Sequence, residues 1–142
     1  MRALLSVLAL VAVTVAGCAS ANAVDPPAYP PDRVVHVAGT NTNRIVLTPQ
    51  AAGRLGIITQ PVRPAAGSGG TIVPISAVLY LPDGTTWVYT NPGPFTYVRQ
   101  LVALGPIAND QWVLTSGPAA GTAVVTVGGA ELLGAEQGVE GE

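Results

Sequence analysis

The sequence predicts an all-β domain, a small antiparallel β-roll or barrel-like sheet carrying one short helix. Three observations carry that reading. Short β-branched and aromatic runs recur from Arg33 to Val127. The 17 Gly and 13 Pro of the 142 residues fall largely between those runs, where turns need them. Only one clear helix start is legible, at Thr48-Pro49.

Taken in order, Arg33 to Val37 and Arg44 to Leu47 are predicted strands, separated by the turn composition Gly39-Thr-Asn-Thr-Asn43. Thr48 is an N-cap and Pro49 the first helical residue, so a helix of two turns runs to Leu55 and stops at Gly56. Ile57 to Val62 resumes as a strand, and Pro64 to Gly70 reads as a flexible linker. Thr71 to Leu81 and Thr85 to Thr90 form a hairpin about Pro82-Asp83-Gly84, because Asp-Gly tolerates the positive φ of a tight turn. After the turn Asn91-Pro92-Gly93-Pro94, the strand Phe95 to Leu104 alternates, with Phe95, Tyr97, Arg99, Leu101 and Ala103 on one face. Gln111 to Thr115 and Ala123 to Val127 are the last strands. Gly128-Gly129 ends them, and Ala130 to Glu136 has room for one helical turn or two. The domain is thus expected over 34–138, in blocks 34–63 and 71–138 joined by the linker 64–70, with 139–142 as a loose tail.

The chain before this domain has a different character. Arg2 precedes an apolar run from Ala3 to Ala16, the layout of a secretory signal and too short to span a bilayer of about 30 Å as a helix. The run ends in Val15-Ala16-Gly17-Cys18, which resembles the bacterial lipobox. That resemblance implies removal of residues 1–17 and acylation of the Cys18 thiol. An ordinary secretory cleavage after Ala19-Ser20-Ala21 is the alternative. Residues 18–33, with Asp25-Pro-Pro-Ala-Tyr-Pro-Pro-Asp32, read as a tether of extended polyproline character. The expected location is the cell membrane, with the chain lipid-anchored on its extracytoplasmic face.

Composition excludes several functions. Six Arg and no Lys against eight acids give a net charge of −2, which supplies no phosphate-neutralising patch for nucleic acid. One Cys allows neither a disulfide framework nor a Cys-based zinc site. His36 is the one imidazole, and metal sites draw on several donors, so no metal or cofactor is expected. Gly67 to Gly70 lacks the Lys and the following helix of a phosphate loop. Glu131 and Glu136 form a candidate carboxylate pair that reads as solvated. A Ser–His–Asp arrangement would need His36 with Ser68, Ser76 or Ser116, and none of these serines sits in a nucleophile elbow. No enzyme is expected.

The remaining candidates are aromatic. Trp87 and Tyr89 share a strand face, with Tyr80 and Tyr97 on neighbouring strands. Such residues pack across strands or, with Arg, contact a partner. Arg99 falls on the Phe95/Tyr97 face, where an unpaired charge is costly. It must sit at an edge, pair with an acid or lie in an interface. Trp87, Tyr89 and Arg99 are therefore the candidate partner contacts, and Cys18 the lipid-attachment residue.

Several stretches also resemble a known family. Val73-Pro-Ile-Ser-Ala-Val78, Asp83-Gly84, Trp87-Val-Tyr89, Phe95-Thr-Tyr-Val-Arg99, Ser116-Gly-Pro-Ala-Ala-Gly121 with Val124-Val125, and Gly128-Gly-Ala-Glu-Leu132 resemble, in that order, the C-terminal part of HlyD-like periplasmic adaptors. Those adaptors are the membrane fusion proteins of efflux pumps. Ile45-Val-Leu-Thr-Pro-Gln50 and Arg54-Leu-Gly-Ile57 resemble a segment near the adaptors' N-terminus. The resemblance implies a truncated, lipidated membrane-proximal domain. The lipoyl, hairpin and barrel parts that a full adaptor places between the blocks would be replaced by the short 64–70 segment. It implies an accessory to an inner-membrane transporter permease, the alternative being a stand-alone envelope lipoprotein that reuses the domain without transport.

Overall fold

A computed structural model describes residues 33–40, 42–67 and 69–138. Cys18, the signal segment, the tether up to Asp32 and the tail 139–142 lie outside the described residues. The all-β expectation holds, in a three-layer arrangement of helices, a large sheet and a small sheet.

The large sheet contains β1 (Arg33–His36), β2 (Asn43–Val46), β3 (Ile58–Pro61), β6 (Leu79–Tyr80), β7 (Thr86–Gly93), β8 (Thr96–Leu101) and β11 (Ala123–Val127). Its order is β1-β2-β8-β7-β11-β3, and β6 pairs with the first residues of β7. The small sheet has the order β4-β5-β10-β9, from β4 (Arg63–Pro64), β5 (Thr71–Pro74), β9 (Ala103–Ala108) and β10 (Gln111–Ser116). Every pairing is antiparallel. The ends β1 and β3 do not meet, so the barrel-like closure does not form. Strands from before and after residue 70 interleave in the large sheet, so both sequence blocks build one unit.

The chain crosses between sheets at two single-residue corners. Val62 separates β3 from β4, and Val102 separates β8 from β9; both are buried. Neither corner strands its backbone. Val62 donates to the Thr122 carbonyl (2.8 Å) and accepts from Gly121 (2.8 Å), while Val102 donates to the Thr86 carbonyl (2.9 Å). A buried corner with paired amide and carbonyl groups avoids the desolvation penalty of an orphaned peptide. The alternating pattern of Phe95 to Leu104 therefore breaks at Val102, because its two halves belong to different layers.

Strands β7 and β11 are buried on both faces, which explains the consecutive apolar pairs Val88-Tyr89 and Val124-Val125 at their centres. Val88 and Val124 face the small sheet, where they pack with Val62, Val73, Ala77, Val78, Val102 and Leu114. Their neighbours Tyr89 and Val125 face the other way, into a cluster with Ile45, Leu47, Ala51, Ala52, Tyr97 and Leu132. Two helices cover that second cluster. Helix α1 (Pro49–Leu55) forms as predicted: the Thr48 hydroxyl accepts from the Ala51 amide at 3.2 Å, and Gly56 closes it at φ 62°. Helix α2 (Gly129–Gly138) is a full ten residues rather than a turn or two, so the domain has two helices, not one.

The Gly-rich segment is also more ordered than a linker. Arg63 pairs with Ile72 and Pro64 with Thr71, and the Ala65 amide donates to the Gly70 carbonyl at 2.9 Å, which closes a hairpin. A Cβ on Gly70 would lie 2.5 Å from the Leu114 carbonyl oxygen. Gly70→Ala should therefore push β5 from β10 and cost about 1–3 kcal/mol, the range for forced overpacking. A flexible linker would accept the same change without loss, so urea midpoints of the two proteins distinguish the cases. The β9–β10 hairpin, unassigned from sequence, turns at Asn109 and Asp110 (φ 50° and 57°). Both φ values are positive, as in a two-residue type I′ turn.

Candidate functional site

The candidate contact residues meet on the helix-covered face of the large sheet. Tyr89 on β7 and Arg99 on β8 are directly opposed, as are Trp87 and Leu101, so all four side chains share that face. Helix α2 brings in a fifth group, Glu136. Leu132 and Glu136, four residues apart, point from the same side of α2. Leu132 enters the apolar cluster, and Glu136 lands between Arg99 and Tyr89.

Glu136 divides its carboxylate between two donors. Arg99 Nη2 lies 3.2 Å from Oε1, and the Tyr89 hydroxyl donates to Oε2 at 2.5 Å. The Glu136 side chain is 3% exposed and that of Arg99 12%. Arg99 also stacks on Trp87, its guanidinium carbon 4.6 Å from the ring centroid. A cation over an indole face is attracted by the ring quadrupole, and partial desolvation strengthens the contact. Arg99 Nε is buried and has no acceptor among the described residues. The network continues outward: Trp87 Nε1 donates to the Thr85 hydroxyl (2.6 Å), which donates to Asp83 Oδ1 (2.6 Å), and the Thr85 amide donates to the same oxygen (2.9 Å). One polar chain thus runs from the β6–β7 turn to the end of α2.

The surroundings set the proton affinities. The Thr85 hydroxyl, and next its amide, hold the Asp83 carboxyl below the usual carboxylate range, with a smaller pull from Arg99. Burial pushes the Tyr89 phenol far upward, and its hydrogen bond to Glu136 and that carboxylate's charge add to the shift. Burial raises Tyr97 as well. A raised phenol binds its proton more tightly when folded, so its stabilising contribution is complete below the unfolded value near 10.0. That contribution is lost as pH rises beyond it, with a slope approaching about 1.4 kcal/mol per pH unit for one tyrosine. Urea titrations between pH 9 and 11 should show this decline, and Tyr89→Phe should flatten it, leaving the share of Tyr97. An equal slope in Tyr89→Phe would contradict the assignment.

The predicted residues are therefore brought together, with different exposures. Tyr89 is 1% exposed and cannot touch a partner in this conformation; it braces Glu136 instead. Trp87 is half-buried, and Leu101 beside it is 53% exposed. The outward-facing part of the cluster is thus Trp87, Leu101 and the rim of Arg99. Arg99 meets the expectation of an acid partner. Glu136 corrects the reading of a solvated carboxylate pair: Glu131 is exposed, but Glu136 is buried and ion-paired. The signal for Glu136 was available in Arg99, a cation on an apolar face that demanded an anion.

The other candidates are not drawn into a reactive group. Exposed His36 bonds across the β1–β2 pair to Asn43 Oδ1 at 3.2 Å. Ser76 and Ser116 are exposed, and Ser68 lies outside the described residues. Among the described residues no cluster of three or more His, Cys, Asp or Glu could hold a metal ion, and no helix is long and apolar enough to cross a membrane. A shallow cleft of about 570 Å³ opens on the outer face of the small sheet, lined by Ala66, Gly70, Ile72, Pro106, Gln111 and Val113 among others. The described residues that line it include no titratable side chain, so they offer no general acid or base. Comparison of the chain with protein families, with curated proteins and with solved structures finds no match.

Proposed function

We propose that this protein is a non-enzymatic envelope lipoprotein, anchored through acylated Cys18, that holds a small β-domain against a transmembrane efflux transporter as an adaptor-like accessory. The observation that favours a contact role is the Trp87–Leu101–Arg99 surface. An indole, an exposed leucine and an arginine already fixed by Glu136 stand side by side, so little side-chain entropy remains to be lost on binding. The adaptor reading draws support from the resemblance in two sequence blocks. It is consistent with their strands interleaving in one sheet without the distal parts of a full adaptor.

Anchoring is tested first. Metabolic acyl labelling should mark the chain, processing should be blocked by globomycin, and Cys18→Ser should abolish both. A photo-crosslinking residue at position 101, in membranes from cells where anchoring is intact, should then capture an integral permease. Capture of no transporter, with the permease gene also absent from the gene's neighbourhood, leaves the stand-alone lipoprotein as the reading.

A further inference from the structure

The opposite face of the large sheet carries a surface of different chemistry. Over β1, β2 and β8 this face lies outside the apolar cluster between the two sheets, which contains no residue of those three strands. Register places Arg33 opposite Val46 and Val35 opposite Arg44, with Val46 and Arg44 in turn opposite Thr96 and Val98. Opposed residues share a face, so two arginines alternate there with valines. Arg33, Arg44 and Val35 are exposed, Val35 to 43%, and Val46 and Val98 are half-buried. Neither arginine has an ion-pair partner among the described residues, where the one salt bridge is Arg99–Glu136. The described acids lie elsewhere: Asp83 and Asp110 in turns, Glu131 and Glu136 on α2.

We infer that this face rests on anionic phospholipid headgroups and orients the anchored domain on its membrane. Guanidinium groups bind phosphate oxygens in a two-pronged geometry, and valine side chains between them suit the boundary of headgroup and acyl chain. The place where the chain enters favours this occupant over a second copy or a protein. Arg33 is both the first residue of the face and the point at which the segment from Cys18 joins the domain. The 14 residues between them reach at most about 50 Å when fully extended. A lipid at Cys18 therefore keeps the face within reach of headgroups, and tethering makes even a weak contact persist. Two arginines alone give only weak binding to a processed chain whose five Arg stand against eight acids, a net charge of −3, so the lipid supplies the hold. Their role is to select which side faces it.

This inference rests on the anchoring proposed above, and two measurements separate the two. In the first, the acylated chain is placed in vesicles of phosphatidylcholine with or without phosphatidylglycerol. It carries an environment-sensitive dye on Val35→Cys or, as a control, on exposed Gly134→Cys of α2. Acylation occupies Cys18, so the introduced thiol is the one that labels. Nitroxide lipids should quench the dye at 35 more than that at 134, more with phosphatidylglycerol than without. Arg33→Gln with Arg44→Gln should erase the difference. In the second, the chain from residue 19 onward, made with neither signal nor lipid, is incubated at high lipid concentration with the same vesicles and floated. Each arginine near an anionic surface is worth about fivefold in partitioning, so the double substitution should lower binding roughly 25-fold. Failure to acylate Cys18 would remove the anchoring proposal and leave the flotation result to judge the face. Equal quenching at 35 and 134, or flotation indifferent to both arginines, would overturn the inference.

Discussion

Glu136→Ala is expected to lower the unfolding free energy by about 3 kcal/mol, near the lower end of the range for removing one partner of a buried ion pair. The substitution would leave Arg99 with no carboxylate while its Nε already lacks an acceptor, and the Tyr89 hydroxyl with nothing to accept its proton. The 12% exposure of Arg99 lets water relieve part of that cost, which places the estimate below the maximum. Tyr89→Phe removes one donor but leaves the ion pair, so a loss of only about 1 kcal/mol is expected. A double-mutant cycle between positions 99 and 136, read by urea denaturation, should show strong coupling. Additive losses would mean that the pair is not formed. The same variant tests the contact surface: with Glu136 gone, Arg99 is no longer fixed over Trp87, and capture from position 101 should fall even where the domain remains folded.

Leu114→Ala is expected to cost about 2–5 kcal/mol, the range for truncating a leucine in a core that cannot collapse around the gap. Leu114 is 1% exposed at the centre of the cluster between the two sheets. Its surroundings are held by main chain, because Gly70 and Gly117 already bring their backbones against it: a Cβ on Gly117 would lie 2.9 Å from the Leu114 side chain. Relaxation into the cavity would require moving β5 and the turn after β10 together. Stabilities of single domains lie at roughly 5–15 kcal/mol, so the variant should approach the unfolding threshold at moderate temperature. Leu101→Ala is the control, since a leucine 53% exposed has little burial to lose. A fall in urea midpoint as large for Leu101→Ala as for Leu114→Ala would contradict the layer assignment.

The legible parts of this fold were those with local chemistry. Helix α1 runs over the predicted residues because Thr48, Pro49 and Gly56 encode its ends without reference to anything distant. The turn at Asp83-Gly84 and strand β11 at Ala123–Val127 were equally local, but the strand expected over Thr71 to Leu81 is broken by a 3-10 turn at Ile75–Ala77. Thr71–Pro74 pairs in the small sheet, and Leu79–Tyr80 alone returns against β7. The misread parts depended on neighbours. Pro64 to Gly70 has a linker's composition, yet it is held as a hairpin by β4–β5 pairing and by the close approach of Gly70 to Leu114. Helix α2 lacks a strong apolar stripe, and its register is set instead by one leucine and one glutamate that find partners on the sheet.

At the candidate site, alternation along β7 and β8 was enough to put Trp87, Tyr89 and Arg99 on one face, because strand geometry has a period of two residues. Alternation does not say which end of a face is covered. That depends on where α2 docks, and its docking buries Tyr89 while leaving Trp87 and Leu101 accessible. The sequence by itself determined the β class, the first helix, and the need of Arg99 for an anion, since a charge among aromatic residues is costly wherever the chain runs. Only the tertiary structure decided that the anion is Glu136, 37 residues away, and that the two sheets meet at Val62 and Val102. Pairing and burial at such separations arise from the summed packing of many segments, and no local pattern along the chain records them.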